Sequence, residues 1–179
     1  MIWPMAAWAI EATLVACLVA AAVSDIAGGI IPNPLVLAVM IGGFALRLVA
    51  APSMLWLSLA VWAIVFGILG LLASHNWLGW GDVKLIAAVT LLVRPGGVMS
   101  LLLAIAIVGG MLACAYLAAR NVLRRSEPSS GQPTGTPPRG LTGILNKERA
   151  RIRASKPMPY AVAILGGVAY HIAIETVRW

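Results

Sequence analysis

The chain has very little charge. Charged side chains are 11% of its 179 residues and apolar ones 61%, against roughly 25% and 45–50% in soluble domains. Cysteine is almost missing: Cys17 and Cys114 lie in separate apolar stretches, and no Cys-x-x-Cys occurs. That excludes a zinc ribbon or a thioredoxin-type redox motif and leaves both as small apolar side chains. Histidine is limited to His75 and His171, with no clustered carboxylate or cysteine ligands beside either, so no metal is expected. No glycine-rich phosphate loop is present, so no nucleotide or other cofactor is expected. Aspartate is scarcest of all, with only Asp25 and Asp82.

What the chain does have is long apolar runs. Mean hydropathy is +0.94, and a helix crosses a bilayer with about 20 apolar residues. Six such stretches are legible: Met5–Val23, Leu35–Ala51, Leu55–Ala73, Trp77–Val93, Val98–Ala119 and Met158–Val177. The expected fold is therefore all-α, a polytopic membrane protein with a bundle of about six transmembrane helices, and the length suits one domain over 1–179. The fourth stretch is continuously apolar only over Leu85–Val93, so its helix should start near Gly79–Asp82. The first is read as a retained helix, because no basic segment precedes it and Glu11 interrupts it. Glu11 itself is read as structural. Trp3, Trp77, Trp80 and Trp179 fall near helix ends, where aromatic belts sit. Gly42-Gly43, Gly109-Gly110 and Gly166-Gly167 suit close helix packing.

The net charge is +7, with nine of the thirteen basic residues between Arg120 and Lys156. Such clustering matches the cytoplasmic excess of Lys and Arg in membrane proteins and argues against nucleic-acid binding. Within that 120–157 loop, twelve of the fifteen residues of Ser126–Gly140 are Pro, Gly, Ser or Thr, which reads as a disordered linker. Leu141–Ser155 alternates apolar and basic residues, as a helix lying on anionic lipid would; a solvated charged turn is the alternative. If the loop is cytoplasmic, parity also puts the loops after helices one and three inside. Those loops hold the two aspartates.

A carboxylate near the hydrocarbon region costs roughly 2.5–3.5 kcal/mol on insertion scales, and a pair of them is the minimum equipment for acid–base activation of water. Asp25 precedes Ile31-Pro32-Asn33, where Pro32 suits the first turn of a helix and Asn33 can bond nearby backbone. Asp82 stands in Gly79-Trp80-Gly81-Asp82-Val83-Lys84-Leu85, where Gly79 and Gly81 admit close approach and unusual dihedrals. Each residue has a structural alternative. Asp25 would be a capping side chain in an ordinary loop, Asp82 a helix cap, and Lys84 a snorkelling cation.

Taken with Met158-Pro159-Tyr160-Ala161, these motifs resemble the type IV prepilin leader peptidases. The similarity is to the short form found with Tad/Flp pili, and it covers nearly the whole chain. It implies a membrane aspartic endopeptidase of the bacterial inner membrane, with Asp25 and Asp82 catalytic at the cytoplasmic face. Gly79, Gly81, Lys84, Pro32, Asn33, Pro159 and Tyr160 would shape the site or touch substrate, although Tyr160 also suits a membrane interface. The implied partners are a prepilin with a short basic leader and an apolar helix, membrane lipids, and the pilus assembly machinery. The N-terminal region with a Cys-x-x-Cys pair found in long relatives is absent, which implies cleavage without N-methylation. The competing readings are a small proton- or cation-coupled transporter using the two aspartates, and an inactive pilus-assembly scaffold.

Overall fold

A computed structural model describes residues 2–125 and 159–177. The linker 126–140 and the segment 141–155 lie outside the described residues. Among the described residues the chain is all α-helix apart from turns. The helices are α1 (Ile2–Gly28), α2 (Asn33–Ala50), α3 (Leu55–Ser74), α4 (Trp80–Thr90), α5 (Val98–Arg125) and α6 (Tyr160–Val177). Short 3₁₀ turns at Pro52–Met54 and Pro95–Gly97 lead into α3 and α5, where the helix-breaking residues stand.

Four stretches are long and apolar enough to cross a membrane: Ile10–Gly28, Asn33–Ala50, Pro52–Ser74 and Pro95–Asn121. Their outward side chains confirm the environment. Trp56, Leu57, Ile64, Ile68 and Leu71 of α3 are all exposed, a surface that water would not tolerate and lipid does. The expected fourth span is different. α4 has 11 residues and is about 16 Å long at 1.5 Å per residue, half of a roughly 30 Å hydrocarbon core. Gly79 delays its start and a turn at Leu91–Val93 stops it. α6 has 18 residues, with an apolar stretch over Tyr160–Ile174.

The short helix sits at the centre. Val83, Leu85, Ile86, Ala87, Ala88, Val89 and Thr90 are all buried. They share one apolar core with Leu14, Leu18, Ala21 and Ala22 of α1, Val36 and Val39 of α2, Leu101 and Ile105 of α5, and Ile164 and Val168 of α6. Trp80 and Lys84 are exposed, but from Leu85 to Thr90 the helix is buried on every side and carries no amphipathic stripe. α3 lies at the edge, against α4.

Two helix ends are set by left-handed residues. Gly29 has φ 70° and donates to the Asp25 carbonyl at 2.7 Å, the αL closure that glycine favours. α1 therefore runs five residues beyond its apolar run, and Asp25 stands in its last turn. That corrects the expectation of a loop. Asn76, at φ 60°, ends α3, with Trp77 N–H donating to the Leu72 carbonyl at 3.1 Å.

α6 packs most extensively against α5, and the closest approach is at Gly167. A methyl group there would stand 2.7 Å from both the Cα and the N of Ile105, which are backbone and cannot swing away. Gly110, on α5, has nothing within 4 Å of such a methyl. Gly167→Ala is expected to part the two helices and cost about 1–3 kcal/mol, as overpacking does. Gly110→Ala should be neutral. Thermal denaturation of both variants in detergent checks this; equal melting temperatures would contradict the packing.

Candidate functional site

Asp25 reaches the first turn of α6. Asp25 is 6% exposed, and its Oδ2 accepts a hydrogen bond from the Ala161 backbone N–H at 3.0 Å. The first N–H groups of any helix lack intrahelical partners, and Pro159 precedes this one, buried and with no N–H of its own. Asp25 thus caps a helix 136 residues away. The capping alternative was right in kind and wrong in place, because the helix served is not a neighbour in sequence.

The turn after Asp25 is tied locally. Ser24 Oγ donates to the Ile30 carbonyl at 3.0 Å. Pro32 takes φ −64° and ψ 127° as the N-cap of α2, and its carbonyl accepts from Leu35 N–H at 3.1 Å. Ile31 then lies against Gly81 of α4, with side-chain atoms 3.6 Å from where a Cβ would be. The two aspartate motifs are in contact through this pair.

Asp82 stands in the first turn of α4, outside the four spanning stretches, and is half-buried. It does not cap its own helix: Gly79 is the N-cap and receives no side-chain bond. Its carboxylate folds back over Gly79, where a Cβ would stand 2.8 Å from Asp82 Oδ2. Gly79 has φ −72° and ψ 138°, ordinary extended backbone, so the unusual dihedrals expected of this glycine are not used. Space is. Burial, and after it the charge of Asp25, push the Asp82 carboxyl up from 3.8 to about 6. That is the behaviour of two acids sharing one site.

Tyr160 is half-buried, within the field of the Asp82 carboxylate, and its hydroxyl lies 3.0 Å from the place of a Cβ on Gly109. It points into the bundle between α6 and α5. Lys84 and Asn33 are exposed and stand at the edge of a cavity of about 580 Å³ between α2, α3 and α4. Leu37, Met40, Phe66 and Trp62 supply much of its apolar wall, with the Trp62 and Phe66 rings stacked at 5.6 Å. Neither carboxylate lines it. Among the described residues, no three His, Cys, Asp or Glu side chains are grouped as metal ligands. The reading from sequence missed the Ala161 N–H as part of the site. Backbone carries no signal of its own, and only Pro159, marking a helix start, pointed there.

Residues 12–114 match the model of the type IV leader peptidase family. That stretch covers both aspartates and the Gly79–Asp82 string. No curated protein and no solved structure matches the chain.

The two glycines beside Asp82 should behave unequally. A methyl at Gly79 displaces the carboxylate, a flexible group that can yield, so Gly79→Ala is expected to fold and insert. Misplacing a reacting group by about 1 Å can cost roughly 10²-fold in rate, and activity should fall on that order. Gly81→Ala meets only ordinary contact with Ile31 and should keep most activity. Cleavage of a leader-bearing substrate by the two purified variants checks this; equal losses would contradict the geometry.

Proposed function

The chain belongs to the type IV leader peptidase family, and within it we propose a membrane-embedded aspartic endopeptidase that removes the leaders of Flp-like type IV prepilins. The carrying observation is that Asp25, bonded at the start of α6, lies close enough to Asp82 for its charge, after burial, to help push that carboxyl up to about 6. Asp25, oriented by Ala161 N–H, takes a proton from water as its oxygen attacks the scissile carbonyl carbon. Asp82 gives its proton to the carbonyl oxygen. On collapse the C–N bond breaks, Asp25 passes its proton to the leaving nitrogen, and the new carboxyl returns one to Asp82. Tyr160, within the field of the Asp82 carboxylate, would help shape the site from the α6 side.

The substrate's apolar helix would lie along the cavity between α2, α3 and α4, and its basic leader would reach past Lys84 and Asn33. Clustering of basic residues at 120–156 supports an active end facing the cytoplasm of the inner membrane. The proposed product is the prepilin shorn of its leader, without N-methylation. Pilus assembly proteins would receive that product.

Co-expression with a tagged prepilin tests the reading. Asp25→Asn and Asp82→Asn should each abolish the mature band in folded, inserted protein, since acid–base assistance alone contributes roughly 10²–10⁴-fold. The double variant should be little worse than either single, as groups acting as a unit are non-additive. Glu11→Gln, on the exposed side of α1, should cut normally. Substantial cleavage by either Asn variant would move the transporter or scaffold reading to first place.

A further inference from the structure

Among the described residues only two charged side chains are buried, Asp25 and Arg47. The proposed chemistry uses the first and leaves the second without a role. Arg47 lies in the last turn of α2 and is 6% exposed. Its Nε donates to the Leu91 carbonyl at 3.1 Å, and its Nη2 donates to the Leu92 carbonyl at 2.8 Å. Those carbonyls stand just past the end of α4, where a helix leaves acceptors unsatisfied and a cation is favoured. Gly43 lies one turn earlier on the same face of α2. A Cβ there would be 2.9 Å from the Leu91 Cβ and 3.0 Å from Leu92 Cδ1. The glycine lets the chains close, and the guanidinium then holds them by two charge-assisted bonds in a fixed fork.

α4 has little else that sets its position along its own axis. It is 11 residues long, its N-cap receives no side-chain bond, and the side chains around it are apolar. Apolar packing is non-directional; the two Arg47 bonds are not. Asp82 stands at the opposite end of the same rigid helix.

We infer that Arg47, with Gly43, is a clasp that fixes the axial position of α4 and through it places Asp82 against Asp25. Arg47 is a positioning residue, far from the reacting atoms. The inference rests on the proposed peptidase reading for its effect on rate, but it also has a readout independent of cleavage. The charge that acts on Asp82 is that of Asp25 from α1; Asp82 in turn acts on Tyr160 of α6, and Lys84 is exposed on its own helix. A displacement of α4 that carries Asp82 away from Asp25 and out of the bundle weakens both causes of its raised carboxyl.

The test uses the full chain in liposomes, with Arg47→Met, Arg47→Lys and Gly43→Ala. Each is assayed for kcat and KM on a prepilin across pH, and Asp82 is titrated by its carboxyl infrared band. Arg47→Met is expected to lose at least tenfold in kcat with KM little changed. The alkaline limb of its pH profile and the Asp82 midpoint should both move to lower pH. Arg47→Lys, which keeps the charge but not the fork, should be intermediate. Gly43→Ala should move both in the same direction by a steric route. A folded Arg47→Met with wild-type kcat and an unmoved Asp82 midpoint overturns the clasp, even if its melting temperature falls. Should Arg47→Met fail to insert, an unmoved midpoint in Gly43→Ala overturns it equally. If the wild-type protein cleaves no prepilin, the peptidase reading fails, and the Asp82 midpoints alone still decide the clasp.

Discussion

A carboxylate buried in an apolar bundle must find its hydrogen-bond donor inside the protein, and Asp25 finds one at the start of α6. Leaving it unpaired would cost several kcal/mol. The bond to Ala161 N–H at 3.0 Å therefore joins the end of the first helix to the start of the last. It makes the acid part of the fold as well as of the site. It also supplies α6 with the acceptor that Pro159, at its N-cap, does not provide.

The second carboxylate is placed by different means. Asp82 rides on a helix too short to cross the membrane, exposed at Gly79 and Trp80 and buried from Leu85 to Thr90. Its C-terminal end lies inside the protein, where its carbonyls need partners at depth. One end opens at Gly79, bare of a side chain so that the carboxylate can fold back over it. The other closes on Arg47. Lipid-facing helices such as α3 contribute the outer wall, and a cavity beside α4 that is lined almost wholly by apolar side chains. The arrangement keeps the polar work at one end of a bundle whose outer surface is hydrocarbon.

Much of this was legible in one dimension. Two aspartates in a chain of 61% apolar residues stand out because the bilayer penalises them, and the all-helical class follows from the apolar runs. Ile31-Pro32-Asn33, the Gly79–Asp82 string and Pro159-Tyr160 were read as one site, and the fold brings them to one end. The failures have physical causes. Ser24-Asp25 interrupts the apolar run after Val23 but not the helix; Ile26 and Ala27 continue it until Gly29 turns left-handed. The stretch 77–93 looked long enough to span, but a glycine start and a turn at Leu91 shorten it. Nothing in the sequence marks the role of Arg47, because its carbonyl partners lie 44 and 45 residues away.

The central claim is that Asp25 and Asp82 work as one acid pair, in which burial and the Asp25 charge raise the Asp82 carboxyl. The most direct measurement is the protonation midpoint of Asp82 in liposomes, followed by carboxyl infrared absorption, in wild type and in Asp25→Asn. The account predicts a wild-type midpoint near 6. In Asp25→Asn it should fall, because the neighbouring charge is gone, yet stay above 3.8, because burial is the larger cause. An Asp82 midpoint unchanged by the loss of Asp25, or already at the ordinary carboxyl value in wild type, would contradict it.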